Sequence, residues 1–256
     1  MKKFFLVLSF LGLFSAWSFG QLIDEKNVTV TMDLQPILQL KMTTSDQIDF
    51  VFDDIKDYYG GIIKYGATVL KVSSSVTWDL YAVGTSQDGT FWDQQVTYSG
   101  GGGGNAISNL PLELLELHQS GSNSYDADAT GTPDYSTAFS PANTPAPGVN
   151  SIYASGTPYT APAATEKYIQ GCKGTAAGLD GAPGGSYLTA TPAPGSFSDY
   201  YFVIDYRILP GLPAIFPNAG LNNATPEDLV TVNGAGAYAN PGVYTMNVKY
   251  ILLEDQ

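Results

Sequence analysis

The chain has 256 residues, with 24 Asp and Glu against 11 Lys and Arg, one His, one Cys, 28 Gly and 16 Pro, and it is 44% hydrophobic but only 14% charged. A net charge of −13 repels a phosphate backbone and no basic stripe offsets it, which argues against nucleic-acid binding. One Cys rules out an intrachain disulfide, and one His gives a multi-histidine metal site or a histidine relay little raw material. The 17 tyrosines, the many glycines and the low charge predict an all-β exported protein, built as one large domain or two small ones.

The first residues predict a cleaved secretory signal. Lys2 and Lys3 precede an apolar stretch from Phe4 to Phe14, and Ser18-Phe19-Gly20 places small residues at −3 and −1 of a cleavage site before Gln21. A membrane anchor is the competing reading, and the run is short for one. Removing residues 1–20 takes away two lysines and no acid, so 9 basic and 24 acidic side chains remain and the mature charge is −15. No later apolar run is long enough to span a bilayer, so no transmembrane segment is expected after cleavage.

From Val28 to Met42 nearly every even position is apolar and most odd ones are polar, a period of two that predicts strand. Pro36 cannot donate to a ladder and predicts a break between two short strands. Further strands are expected at Ile48–Phe52, Ala67–Val72 and Val76–Val83, the last with Val76, Trp78 and Leu80 on one face. Asp88-Gly89 predicts a hairpin-type turn into Phe91–Tyr98, and five glycines at 100–104 form a loop before Leu110–Leu117. In that leucine-rich segment the alternation slips at Leu115, which predicts a β-bulge, with a helix as the competing reading.

Residues 119–198 contain 9 of the 16 prolines and 11 of the 28 glycines but only seven Val, Ile, Leu or Phe, too few to bury a core of their own. They read as a loop-rich insertion. Its six tyrosines point to loops packed over a surface, and disorder is the alternative. Alternation resumes at Tyr200–Ile208 and at Tyr244–Leu252, with Asn240-Pro241-Gly242 as the turn before the final strand. Neither half supplies a full sandwich, so the predicted fold is an immunoglobulin-like antiparallel β-sandwich. Residues 21–118 form its first part, 119–198 an insertion, and 199–256 the completing strands.

Candidate chemistry is sparse. His118 stands at a strand end and Cys172 beside Lys173, and neither has an evident partner for catalysis. Asp126 and Asp128 resemble the first half of a calcium loop, but position twelve is Thr137 and not the bidentate Glu. The pairs Asp53-Asp54 and Glu113/Glu116 have no assignable acid and base roles. Trp92 is a candidate sugar platform, whereas Trp78 is expected in the core. No enzyme activity, cofactor or metal is predicted.

The stretch Glu25-Lys-Asn-Val-Thr-Val-Thr-Met-Asp-Leu-Gln-Pro36 resembles the N-terminal donor strand of pilins of the colonisation-factor (class 5, alpha) fimbrial type. Asn240-Pro-Gly-Val-Tyr-Thr-Met-Asn-Val248 resembles the last turn and strand of such subunits. The general pattern is also similar to exported bacterial surface β-sandwich proteins. The resemblance implies a secreted subunit of a surface or extracellular filament, a homopolymer in which Val28, Val30, Met32 and Leu34 enter a groove of the next copy. The competing expectations are that Val28–Leu34 is an ordinary internal strand, and that the protein is a secreted adhesin whose partner is a surface glycan.

Overall fold

The computed structural model describes residues 24–98, 106–120, 134–142, 146, 148–157, 159–163, 166–172, 181–188, 200–208 and 238–255. The predicted signal segment, the predicted loop at residues 100–104 and the calcium-loop candidates Asp126 and Asp128 lie outside the described residues. The chain divides after Gln35 into an N-terminal unit and a unit spanning Pro36–Gln256.

The larger unit is an all-β, sandwich-like arrangement of mostly antiparallel sheets, with one short α-helix among the described residues. Its principal sheet contains β1 (Leu38–Met42), β2 (Ile62–Ser74), β6 (Leu115–Ser120) and β8 (Tyr201–Ile208), in the order β1-β2-β8-β6, and the two-residue β7 (Gly185–Ser186) pairs with the end of β2. Opposite it, β3 (Trp78–Thr85) pairs along its whole length with β11 (Asn247–Glu254), from Asn247↔Thr85 to Glu254↔Trp78. Two small ladders complete the unit. The strand β4 (Asp93–Thr97) pairs with β10 (Gly242–Thr245), and β5 (Ala106–Ile107) runs parallel to β9 (Tyr238–Ala239).

Period-two patterning decides which side chains meet. Leu70 and Val72 of β2, Leu115 and Leu117 of β6, and Phe202, Ile204, Tyr206 and Ile208 of β8 pack against Trp78, Leu80 and Ala82 of β3. Val248, Tyr250 and Leu252 of β11 close the flank of this core. The opposite face of β3 is also covered, because Tyr81 and Val83 pack with Tyr168 and Cys172. Trp78 meets Phe202 edge-on at 6.1 Å and donates its ring N–H to the Pro183 carbonyl. It is a core residue.

The predicted insertion enters this core. Tyr135, Ile152, Tyr168, Ile169, Cys172 and Ala182 are all buried. Its segments bridge the free edge of β3 at Ala182, Gln170 and Ala154, and Asn150 and Ile152 hydrogen-bond to Leu117 and Leu115 of β6. A stretch too poor in aliphatic residues to build a core thus completes one supplied by the strands around it.

Three local expectations change. Ile48–Phe52 forms no strand: Ile48, Phe50 and Phe52 rest on the core half-buried, but the backbone meets no neighbouring ladder. Asp54 then caps the short helix α1 (Ile55–Gly60), accepting from the Lys56 N–H at 3.0 Å while the Asp57 side chain accepts from the Asp54 N–H. The slip at Leu115 is no bulge or α-helix but a 3₁₀ turn at Leu112–Leu114 that leads into β6. Asp88-Gly89 does turn the chain, yet the strands on either side, β3 and β4, belong to different sheets.

Core tyrosines give the fold an alkaline limit. Tyr206 hydrogen-bonds to Thr68 at 2.7 Å and to Tyr250, and Tyr135 accepts the Tyr153 N–H at 3.1 Å. Burial pushes the hydroxyls of Tyr135, Tyr206 and Tyr250 above their ordinary value and that of Tyr244 up to about 12. A raised folded-state value favours the protonated form, so this stability is fully present below the unfolded tyrosine value of about 10 and is lost as pH climbs through the folded values. Urea midpoints measured from pH 8 to 11.5 are expected to hold steady to about pH 10 and then fall. Leu80→Ala, at the centre of the core, is expected to cost about 2–5 kcal/mol in the same assay at neutral pH.

Candidate functional site

The predicted assembly residues lie on a segment that makes no ladder. Residues 24–35 contain neither helix nor strand, and Val28, Val30, Met32 and Leu34 are 85%, 86%, 78% and 81% exposed. Of the two short strands predicted on either side of Pro36, only Leu38–Met42 is paired. The physical reason is that alternation makes a segment able to be a strand, but a strand exists only where a neighbour accepts its hydrogen bonds. Inside the segment Gln35 donates to Asp33 at 2.6 Å, and Lys26 lies 3.7 Å from Asp24, both in full exposure. Such contacts are worth little and leave the arm available. Four large apolar side chains in a row, all exposed, are unusual on a chain that acts alone.

A second feature lies on the outer face of the principal sheet. Register sets Glu116 opposite Arg207 and His118 opposite Asp205 across β6 and β8. The Arg207 Nε donates to Glu116 Oε2 at 2.5 Å, Nη1 to the Ser140 carbonyl at 2.5 Å and Nη2 to Ser140 Oγ at 3.0 Å, while the guanidinium lies 4.7 Å from the centre of the Phe139 ring. Arg207 and Glu116 are buried. Asp205, also buried, accepts the Gly66 N–H at 2.6 Å on one oxygen, and His118 Nδ1 (3.0 Å) and Ser120 Oγ on the other. Gly66 has φ +59 and sits in the irregularity between Lys64 and Thr68 of β2, a left-handed position that favours glycine.

Ser, His and Asp are thus adjacent, but their order is wrong for nucleophilic catalysis. Ser120 donates to the carboxylate and not to the imidazole, so no base is set to take its proton. Asp205 anchors a backbone irregularity, and Arg207 clamps the 138–142 loop to the sheet. A cleft of about 330 Å³ beside them, lined by Ile63, Tyr65, His118, Phe139 and Arg207, is broadly open.

The remaining candidates have structural positions. Asp54 is the cap of α1. Trp92, half-buried, donates to the Pro111 carbonyl at 3.1 Å and packs with Leu110 and Leu114. Cys172 is buried against Tyr81 and Val83. Among the described residues no group of three His, Cys, Asp or Glu side chains could hold a metal ion, and no helix is long and apolar enough to cross a membrane. Sequence reasoning missed the Glu116–Arg207 pair and Asp205. Asp205 and Arg207 were present as odd positions of the alternating Tyr200–Ile208 strand and Glu116 as a member of the Glu113/Glu116 pair, but their cover comes from a loop whose docking no periodicity announces.

Comparison with known proteins gives no matching family model and no matching curated protein.

The buried ion pair makes a clear test. Arg207→Met leaves the Glu116 carboxylate buried without its counter-charge and is expected to cost about 3–5 kcal/mol, whereas Glu116→Leu/Arg207→Met is expected to recover most of that loss. Chemical denaturation of the two variants beside the native chain checks both.

Proposed function

We propose that the protein is a secreted structural subunit of a bacterial surface or extracellular filament, which assembles head-to-tail by donating its N-terminal arm as a β-strand. One observation carries this reading: Val28, Val30, Met32 and Leu34 keep strand alternation while remaining about four-fifths exposed and outside every ladder. A segment with that pattern and no ladder partner among the described residues suits β-strand addition, in which ladder bonds supply affinity and alternate side chains supply fit. Burying four such side chains is worth about 6–12 kcal/mol before ordering costs, at about 1.5–3 kcal/mol each. That suffices for a durable contact.

Two further observations support the reading. An arm and the edge that accepts it are different surfaces, so a contact between them can repeat head-to-tail from copy to copy. The mature charge of −15, 24 acidic against 9 basic side chains, would keep such fibres apart at low salt and let them associate laterally as salt rises.

Light scattering and negative-stain microscopy test the proposal on the chain from residue 21 onward and on a version lacking residues 21–35. The expected outcome is filaments from the first and a folded monomer with an unchanged denaturation midpoint from the second. A stable monomer in the first case, with truncation unfolding it, would make Val28–Leu34 an internal strand and overturn the proposal. A Val30→Asp/Met32→Asp chain is expected to lose assembly while its folding free energy stays within about 0.5 kcal/mol of the native value.

A further inference from the structure

We infer that the acceptor for the arm of a second copy is the outer edge of β1, with the donated strand running parallel to it. This rests on the strand-donation reading and assigns it a place. The two ends of the principal sheet differ. The edge of β6 is covered by the chain's own segments, since Leu117 N donates to Asn150 O, Ile152 N to Leu115 O and Gln119 N to Tyr135 O, at 2.7–2.9 Å. Among the described residues the edge of β1 carries no such cover: β1 pairs with β2 on one side, from Leu38↔Ser74 to Met42↔Leu70, and with no strand on the other.

The apolar side of β1 is also unfinished. Leu38, Leu40 and Met42 share the face that looks toward the core, yet Leu38 and Met42 are 39% and 42% exposed. Strand β11 of the second layer lies alongside β1, and its Val248, Tyr250 and Leu252 are only half-buried on the same core. A donated strand on β1 would therefore lay its apolar face over Leu38 and Met42 and against the flank of β11. The usual defences of an open edge are weak here, since β1 has no proline or bulge and a single charge, Lys41.

The occupant that fits is the chain's own arm. Val28–Leu34 spans about 23 Å when extended and the five residues of β1 about 17 Å. Both alternate apolar with polar, so Val30, Met32 and Leu34 share a face with Leu38, Leu40 and Met42 while Thr29, Thr31 and Asp33 align with Gln39 and Lys41. Direction follows from covalent continuity. The arm leads into β1 through Gln35, Pro36 and Ile37, so an arm laid antiparallel on a second copy's β1 brings that copy's arm back to the first and closes a two-fold pair. A parallel arm leaves one arm and one edge unused and continues.

A cross-linking experiment on the chain from residue 21 onward tests both site and direction. Cys172 is buried, so introduced thiols dominate. A Thr31→Cys chain is mixed with a size-tagged Gln39→Cys chain, with tagged Lys41→Cys as the alternative register and tagged Val96→Cys, exposed on β4, as control. The expected result is disulfide-linked heterodimer with Gln39→Cys or Lys41→Cys at a yield several-fold above the Val96→Cys control, together with native particles larger than a dimer by light scattering. Equal yields at β1 and β4, or a native species that stops at a dimer, overturn this inference. Assemblies that vanish on deletion of 21–35 but give no linkage at Gln39 or Lys41 overturn the β1 site and leave strand donation standing. A native monomer overturns both.

Discussion

Strand β3 must be enclosed on all sides, and the rest of the larger unit is arranged to do so. Its run Leu80-Tyr81-Ala82-Val83 is apolar on both faces, and every residue from Trp78 to Thr85 is buried. A strand of that composition cannot sit at the surface of an antiparallel sheet with one wet side. It needs a layer on each face and a partner along each edge. The principal sheet covers one face and Tyr168 with Cys172 the other, while β11 takes one edge and the segments at 154, 170 and 182 take the other. The insertion is thus a required part of the enclosure. The same crowding leaves little room at Gly84, where a side chain would displace the Met246 methyl at 2.8 Å and press on Ile152 at 3.2 Å.

The outer face of the principal sheet solves a different problem. Alternation that sends Phe202, Ile204 and Tyr206 inward sends Val203, Asp205 and Arg207 outward, and the outward charges are buried too. Each is satisfied by a group that also orders backbone: Asp205 holds the Gly66 irregularity and Arg207 holds the loop at Ser140. Buried charges of this kind contribute more to which arrangement forms than to how stable it is, because desolvation offsets much of their attraction.

Strand content and the faces of the main strands were legible from period-two patterns, as with Trp78 and Leu80 or Tyr200–Ile208, since a pleated backbone converts sequence parity directly into facing. Partnership was not legible. Ile48–Phe52 has the same parity as a strand but no ladder, and Val28–Leu34 has a longer run with none, because hydrogen-bond partners are set by tertiary approach. The 3₁₀ turn at Leu112–Leu114 mimics a bulge in sequence, as both shift parity by one. Tyr244–Leu252 keeps unbroken parity through Met246, yet it serves two sheets, β10 on β4 and β11 on β3. Of the site, the arm was legible as a pattern. The Glu116–Arg207 clamp was not, since its value depends on a loop folded over it.

The pairing of β3 with β11 also governs when the fold can form. The partners lie more than 160 residues apart in the chain, and closing a loop of that length precedes any gain from the contacts it allows. Until β11 has been synthesised, β3 has no ladder along that edge and its apolar faces lack part of their cover. A chain lacking β11 therefore leaves β3 with one edge unpaired and part of its apolar surface uncovered, a target for proteases and chaperones.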